Sequence, residues 1–322
     1  MVNATAPHLP SSISHRRPLF LAGPTAVGKS EIALLLAEKI GGEIISVDSM
    51  QVYRGLDIGT AKPSSEERAR VRHHLIDVVE LTEPFDAAQF VRLANAAVTD
   101  IQSRGRIPIF CGGTGLYFKA FLEGLGETPP ADEHLRLELE AAALEILLKE
   151  LAEKDPVTYE KIDRQNPRRV IRAIEVIRLT GKPFSAQKAR WTDATAGARQ
   201  SGHDAAAPHL IGFSRDVADL RARIDARVDA MFNRGLVEET RRLLEHGLAE
   251  NRTALQALGY RQVVEHLRGE HSLPETVELV KIKTRQFAKR QMTWFTRQLK
   301  IEWIHLAAHD LPADIARRIG NS

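Results

Sequence analysis

Apolar residues first cluster in a short run, Leu19 to Ala22, that leads into Gly23-Pro24-Thr25-Ala26-Val27-Gly28-Lys29-Ser30. An apolar stretch with helical character follows, Glu31 to Ile40, and stops at Gly41-Gly42. Strand, glycine-rich loop and helix in this order predict the opening of a parallel α/β domain. Glu43 to Val47 predicts a second strand with Asp48 at its carboxyl end, the edge where ligands of open α/β sheets collect. Phe90, Leu93, Ala97 and Ile101 fall at helical spacing within Asp86 to Ser103, which closes at Gly105. Arg106 to Cys111 predicts a further strand that runs straight into Gly112-Gly113-Thr114-Gly115.

Beyond Gly126 the rhythm changes. The punctuation Thr128 to Asp132 precedes a Leu, Ala and Glu-rich helical stretch, His134 to Lys154. Asp155-Pro156 and Asn166-Pro167 each read as a helix cap followed by proline at the first helical position, and the second of these helices ends near Gly181. Thr192 to Pro208 is small, polar and aperiodic, as a linker is. His209 to Phe213 predicts a strand that rejoins the sheet, so residues 127–205 are expected as a mainly helical insertion. Helices are predicted over Val217 to Asn233, Leu236 to His246, Gly259 to Arg268 and Pro274 to about Leu299. The expected plan is therefore a flexible tail over 1–18, a P-loop α/β core over 19–126, the insertion, and core completion with basic C-terminal helices over 206–322.

Composition narrows the class. A chain of 322 residues with 43% hydrophobic and 27% charged residues can bury a core and is not a disordered polymer. Its single cysteine, Cys111, excludes an internal disulfide and a multi-thiolate metal site, and fits a reducing, cytoplasmic compartment. No apolar run reaches the roughly 18 residues of a membrane span. The acid-free tail leaves a short transit peptide as an alternative. The net charge of +3 names no partner by itself.

Gly23 to Ser30 fits the phosphate-binding P-loop pattern, with a strand before it and a helix after it. Backbone N–H groups and the helix N-terminus can wrap a diphosphate, Lys29 adds a point charge, and the Ser30 hydroxyl can hold Mg2+. The acidic residue that NTP-hydrolysing proteins place after an apolar strand is replaced here by Gly112-Gly113-Thr114, which weakens a hydrolase reading. Asp48 is either a base for an acceptor substrate or a residue that caps its own loop. The Gly112 to Gly115 turn is either simply tight or a platform for a planar ligand, with Thr114 offering a hydroxyl. Cys111 reads as a small buried hydrophobe.

Arg168 and Arg169 stand in the first turn of a helix, where the macrodipole disfavours cations and an anionic partner would relieve the conflict; pairing with acidic neighbours is the alternative. Arg223 and Arg227 share a helix face, either reaching the phosphate site or solvated. Lys281 to Lys300 holds seven cations and no acid, with Phe287, Trp294 and Phe295 interleaved. Its basic face suits a nucleic-acid backbone, while the aromatics read as core. His73-His74 lacks metal-ligand spacing.

Taken together, GPTAVGKS, Asp48 to Pro63 (DSMQVYRGLDIGTAKP), Gly112 to Leu125 (GGTGLYFKAFLEGL), Asn166 to Val176 (NPRRVIRAIEV), Gly259 to Gln262 (GYRQ) and Thr284 to Phe295 (TRQFAKRQMTWF) closely resemble the tRNA dimethylallyltransferases, also called tRNA isopentenyl transferases. The resemblance implies transfer of a dimethylallyl group from dimethylallyl diphosphate to the exocyclic N6 amine of the adenosine 3′ of certain anticodons. It also implies Mg2+, the tRNA anticodon stem-loop as partner, and a monomer. On this resemblance Asp48, Thr114 and Arg223 are catalytic and Gly23 to Ser30 bind diphosphate. The same resemblance implies that Asp48, Ser49, Met50, Gln51, Thr114, Gln165, Asn166, Pro167, Arg168 and Arg169 contact tRNA; Lys281, Arg285, Lys289 and Arg290 of the basic stretch, with Arg136, are further expected tRNA contacts. The segment after Leu139 is shorter than the family's usual form and lacks its glycine, and Thr192 to Pro208 is extra. Competing functions are prenylation of free adenine nucleotides, a small-molecule P-loop kinase, and a non-catalytic RNA-binding protein.

Overall fold

The computed structural model describes residues 17–125, 129–187, 209–251 and 253–321. Most of the expected tail, and the whole of Thr192 to Pro208, lie outside the described residues. Six parallel strands form one sheet in the order β3-β2-β4-β1-β5-β6. They are β1 (Leu19–Ala22), β2 (Gly42–Val47), β3 (His73–His74), β4 (Ile107–Gly112), β5 (Leu210–Arg215) and β6 (Glu302–Leu306). The α/β class is the one expected from the alternation of strand, loop and helix.

The chain divides into two compact units, one of residues 1–120 with 206–322 and one of residues 121–205. In the first, the core gathers Leu21, Ile32, Leu36, Ile44, Ile109, Ile211 and Phe213 with Ile315 and Ile319 from the last helix, Pro312–Ile319. Strands β2 and β4 are buried at every residue, which is why neither alternates apolar with polar; the polar Glu43 and Ser46 of β2 are buried with it. Strands β3 and β6 escape that reading for opposite reasons. The first is two residues long, and the second is a partly exposed edge strand, Glu-Trp-Ile-His-Leu.

The second unit is helical. Its core is Leu139, Leu147, Leu151, Val170, Ala173, Ile174 and Ile177. The helical stretch His134 to Lys154 consists of two helices, Glu133–Ala141 and Leu144–Lys154. Ala142 and Ala143 between them are extended, at ψ 145° and 136°. Alanine's helix propensity conceals such a break, because tertiary packing decides it. The two proline-started helices occur as expected, Pro156–Lys161 capped by Asp155 and Pro167–Thr180 capped by Asn166, with Gly181 left-handed at φ 68°. No helix among the described residues is long and apolar enough to cross a membrane.

Candidate active site

Because β4 lies between β1 and β2, the segments leaving their carboxyl ends become neighbours: Gly23 to Ser30 after β1, Asp48 to Gln51 after β2, and Gly113-Thr114 after β4. The loop after β1 has the backbone its sequence demands, with positive φ at Gly23 (153°), Ala26 (63°) and Gly28 (107°). A Cβ on Gly23 would lie 2.9 Å from the Phe213 carbonyl oxygen, so β5 itself requires glycine there. Lys29 opens the helix Lys29–Ile40, and its Nζ donates to the Pro24 carbonyl at 3.1 Å. Burial pushes the Lys29 ammonium below its ordinary value; the nearby Cys111 and Asp48 oppose that fall and Arg227 adds to it. Burial likewise lowers Arg227, against the pull of Asp48. A desolvated lysine and arginine crowded around one carboxylate form a site with an excess of cation, the electrostatics an anionic ligand relieves. Ser30 is exposed.

Asp48 is half-buried. Its Oδ1 accepts from the backbone N–H of Met50 at 2.8 Å and of Gln51 at 3.3 Å. The loop-capping role left open by the sequence is therefore real, and it leaves Oδ2 to face other partners. Thr114 Oγ1 accepts from Ser49 N–H at 3.1 Å and Thr114 N–H donates to the Val47 carbonyl at 3.1 Å, which ties the two loops together. Gln51 is used internally: its Oε1 accepts from Ser46 Oγ at 2.8 Å and its Nε2 donates to the Thr60 carbonyl at 3.1 Å.

The Gly112 to Gly115 turn resolves in favour of tight packing. Added Cβ atoms would lie 2.1 Å from the Val47 carbonyl oxygen at Gly112, 2.3 Å from Gln291 Nε2 at Gly113 and 2.1 Å from the Trp294 ring at Gly115. Protein atoms fill the space these glycines leave. Cys111 is buried, and burial pushes its thiol up to about 11, which suits a small hydrophobe and not a nucleophile.

Several residues that organise this edge were not singled out from sequence. Gln291 is buried in the long helix Leu273–Gln298; its Oε1 accepts from Thr25 N–H at 2.9 Å and its Nε2 donates to the Gly113 carbonyl at 2.9 Å. Its register with the buried Val280, Thr284, Ala288 and Phe295 was a signal that it points inward. Tyr260, of the GYRQ motif, donates to Glu239 Oε1 at 2.6 Å, while Gly59 N–H donates to the Tyr260 hydroxyl at 3.0 Å and Ile58 N–H to Glu239 at 2.9 Å. Burial raises both the Glu239 carboxyl and the Tyr260 phenol above their ordinary values. This cluster anchors the loop that starts at Asp48. Arg223 Nε donates to the Ala26 carbonyl at 3.0 Å, so this arginine does reach the loop after β1.

The expected RNA-facing cations differ in their surroundings. Lys289 and Arg290 are exposed, with the Arg290 guanidinium 5.9 Å from the centre of the exposed Phe287 ring. Lys281 instead pairs with Asp229 at 2.8 Å and Glu278 at 2.9 Å, and Arg285 holds Asp225 through both nitrogens of its fork. Acids from outside the Lys281 to Lys300 stretch supply these partners, which is why a count along the stretch missed them. Phe295 is fully buried edge-on to Phe118. In the helical unit Gln165, Pro167, Arg168 and Arg169 are exposed around the cap Asn166, whose side chain accepts from Arg169 N–H at 3.4 Å. Arg136 and Arg172 both pair with the fully buried Glu175, at 3.1 and 2.6 Å. His73 and His74 bond to the Val71 carbonyl and to Glu43, and the described residues hold no cluster of three or more His, Cys, Asp and Glu side chains fit to bind a metal ion.

The family model described as IPP transferase matches residues 51–298. The tRNA dimethylallyltransferase 2 of Geotalea daltonii is 44% identical over 292 residues, 89% of this chain and 87% of that one. The tRNA dimethylallyltransferase of Geobacter metallireducens is 47% identical over 294 residues, 89% of this chain and 92% of that one. The solved full-length tRNA isopentenylpyrophosphate transferase of Bacillus halodurans matches with TM-score 0.68 and 37% identity over 96% of this chain and 95% of that chain. A eukaryotic dimethylallyltransferase, solved acting on tRNA, matches with TM-score 0.71 and 27% identity over 91% of this chain and 74% of that chain. With its parallel sheet, its phosphate-type loop and relatives alike over nearly their whole length, the chain belongs to the IPP transferase family.

Proposed function

We propose that the chain transfers a dimethylallyl group from dimethylallyl diphosphate to the N6 amine of the adenosine 3′ of the anticodon in tRNA, releasing diphosphate. The observation that carries this reading is the convergence at one sheet edge of the loop Gly23 to Ser30, with Lys29, and the turns of Asp48 and Thr114, tied to each other through Ser49 and Val47. The relatives' names, tRNA dimethylallyltransferase, support it.

An adenine amine is a weak nucleophile, because its lone pair is delocalised into the ring. Asp48, with Oδ1 held by Met50 and Gln51, offers Oδ2 to the amine proton. As the new N–C bond forms at the primary allylic carbon, the C–O bond to diphosphate breaks and the proton passes to Asp48. The negative charge growing on the leaving group falls among the loop N–H groups, Lys29 and Arg223. Thr114 positions the Asp48 turn through Ser49. The donor set fits a hard cation that keeps most of its ligands from substrate and water, since the exposed Ser30 hydroxyl stands at the helix start with no ready-made carboxylate cage among the described residues. Mg2+ held by Ser30 and the diphosphate would add charge neutralisation.

The base must leave its stack to reach Asp48. Arg168 and Arg169 in the helical unit, and Lys289 and Arg290 in the α/β unit, are the cations that we assign to the RNA backbone. Lys281, Arg285 and Arg136 already hold carboxylates, so their part in RNA binding requires exchanging an intramolecular partner for phosphate.

The test is incubation of the protein with labelled dimethylallyl diphosphate, Mg2+ and either total tRNA or AMP, followed by nucleoside analysis. Label in a tRNA adenosine is expected. Label in AMP alone, or ATP-dependent phosphorylation with no prenyl transfer, overturns the reading. Asp48→Ala is expected to lower turnover by about 100- to 10,000-fold with tRNA and diphosphate binding retained; unchanged turnover removes Asp48 from the chemistry.

A further inference from the structure

We infer that Arg215 is a positioning residue for the diphosphate loop; this rests on the reading of Gly23 to Ser30 as the diphosphate site. Arg215 ends β5, and its side chain is 5% exposed. Its Nε donates to the Val27 carbonyl at 2.8 Å, and Nη1 donates to Asp219 Oδ2 at 2.7 Å and to the Ala307 carbonyl at 3.1 Å. One buried guanidinium thus joins the loop after β1, the first turn of the helix Val217–Asn233 and the segment after β6.

Each of these bonds has a consequence for an anion-binding loop. In a planar trans peptide the C=O of one residue and the N–H of the next point in opposite directions. Arg215 holds the Val27 carbonyl on its own side and so aims the Gly28 N–H the other way, while Arg223, on the Ala26 carbonyl, does the same for the Val27 N–H. Both guanidinium groups also stand close to Gly28, where an added Cβ would lie 3.6 Å from Arg215 Nη2 and 3.8 Å from Arg223 Nη2. Ala26, left-handed at φ 63°, is a strained position of the kind that such fixation holds in place.

The second consequence concerns the helix. Its cap, Asp216, makes no side-chain cap hydrogen bond, and the Arg215–Asp219 pair is a side-chain tie on its first turn. Asp219, Arg223 and Arg227 follow at intervals of four and share one face. Arg215 therefore sets the register of both arginines that approach the loop and Asp48.

Isothermal titration with inorganic pyrophosphate, alongside steady-state kinetics, tests this on Arg215→Met, Arg215→Lys and Asp219→Asn, with melting midpoints recorded. Arg215→Met is expected to weaken pyrophosphate binding about tenfold and to raise KM for dimethylallyl diphosphate equally, since a charge-assisted hydrogen bond is lost. KM for tRNA should stay within about twofold. Arg215→Lys, which keeps the charge and one donor toward Val27, is expected to recover about half of that loss on a logarithmic scale. Asp219→Asn should fall between wild type and Arg215→Met. Unchanged pyrophosphate affinity in folded Arg215→Met, or an equal rise in KM for both substrates, overturns the role. If Arg215→Met does not fold, Arg215→Lys and Asp219→Asn decide it by the same split. A wild-type protein that binds pyrophosphate but transfers no prenyl group would instead overturn the function and leave the Arg215 result standing.

Discussion

Two helices of this protein begin with cations, and they do so in opposite ways. Lys29 starts its helix inside a loop of left-handed residues, desolvated and bonded to the Pro24 carbonyl. Arg168 and Arg169 start theirs on an exposed turn held by Asn166. The first arrangement fixes a charge where little solvent can screen it; the second sets its cations on an exposed turn, where charge interactions are weakened by salt. Under the proposed function, a site for chemistry and a surface for a long polyanion would use the same helix end with different burial.

Lys29→Met should show the largest effect, a loss of about 100- to 1,000-fold in kcat/KM for dimethylallyl diphosphate with tRNA affinity little changed. Comparable losses from Arg168→Ala in steady-state kinetics would break the comparison. Next is the buried Glu175, whose two arginines would keep their charge without a counterion. Glu175→Gln is expected to lower stability by about 1.5 kcal/mol in denaturant titration, as charge-assisted hydrogen bonds weaken while the part-exposed arginines keep access to water, in the helical unit that carries Arg168. Arg168→Ala with Arg169→Ala should weaken tRNA binding uniformly and reduce the slope of log affinity against log salt by about one for each lost phosphate contact, leaving KM for the diphosphate unaltered.

The smallest effect is a matter of pH. Arg104 and His74 hold the Glu43 carboxyl below its ordinary value of 4.5 against the opposing pull of burial. Because the folded value is the lower one, the native state binds fewer protons, and the contribution is complete above about 4.5 and lost as pH falls through the folded value. Wild type and Glu43→Gln should therefore differ in stability at pH 7 and converge in acid, while the pyrophosphate affinity of folded protein at pH 7 stays the same. A change in that affinity would show that the loop depends on the opposite end of the sheet.

Much of this was legible in the chain itself. The loop after β1 could be read because its glycines and lysine answer to local backbone geometry, and the proline-started helices because cap and proline are adjacent. The helix break at Ala142-Ala143 could not, since nothing local marks it. Gln291, 266 residues from Thr25, was half legible: its register with buried neighbours marks it as inward-facing, but no local pattern names the two loops it bonds. The ion pairs of Lys281 and Arg285 were equally hidden, because Asp229 and Asp225 belong to a helix more than fifty residues away. Asp48 proved to be a cap and to keep a free oxygen, so the two readings of it are compatible.

Gln291 has a genetic consequence. Its one amide serves both the Thr25 N–H and the Gly113 carbonyl, from a helix whose other face carries Lys289 and Arg290. A mutation there disturbs two loops at once, so, if those loops serve diphosphate and RNA as proposed, a screen for defects in diphosphate use and a screen for defects in RNA use would recover the same allele. Pleiotropy at that position is built into the wiring of a single side chain.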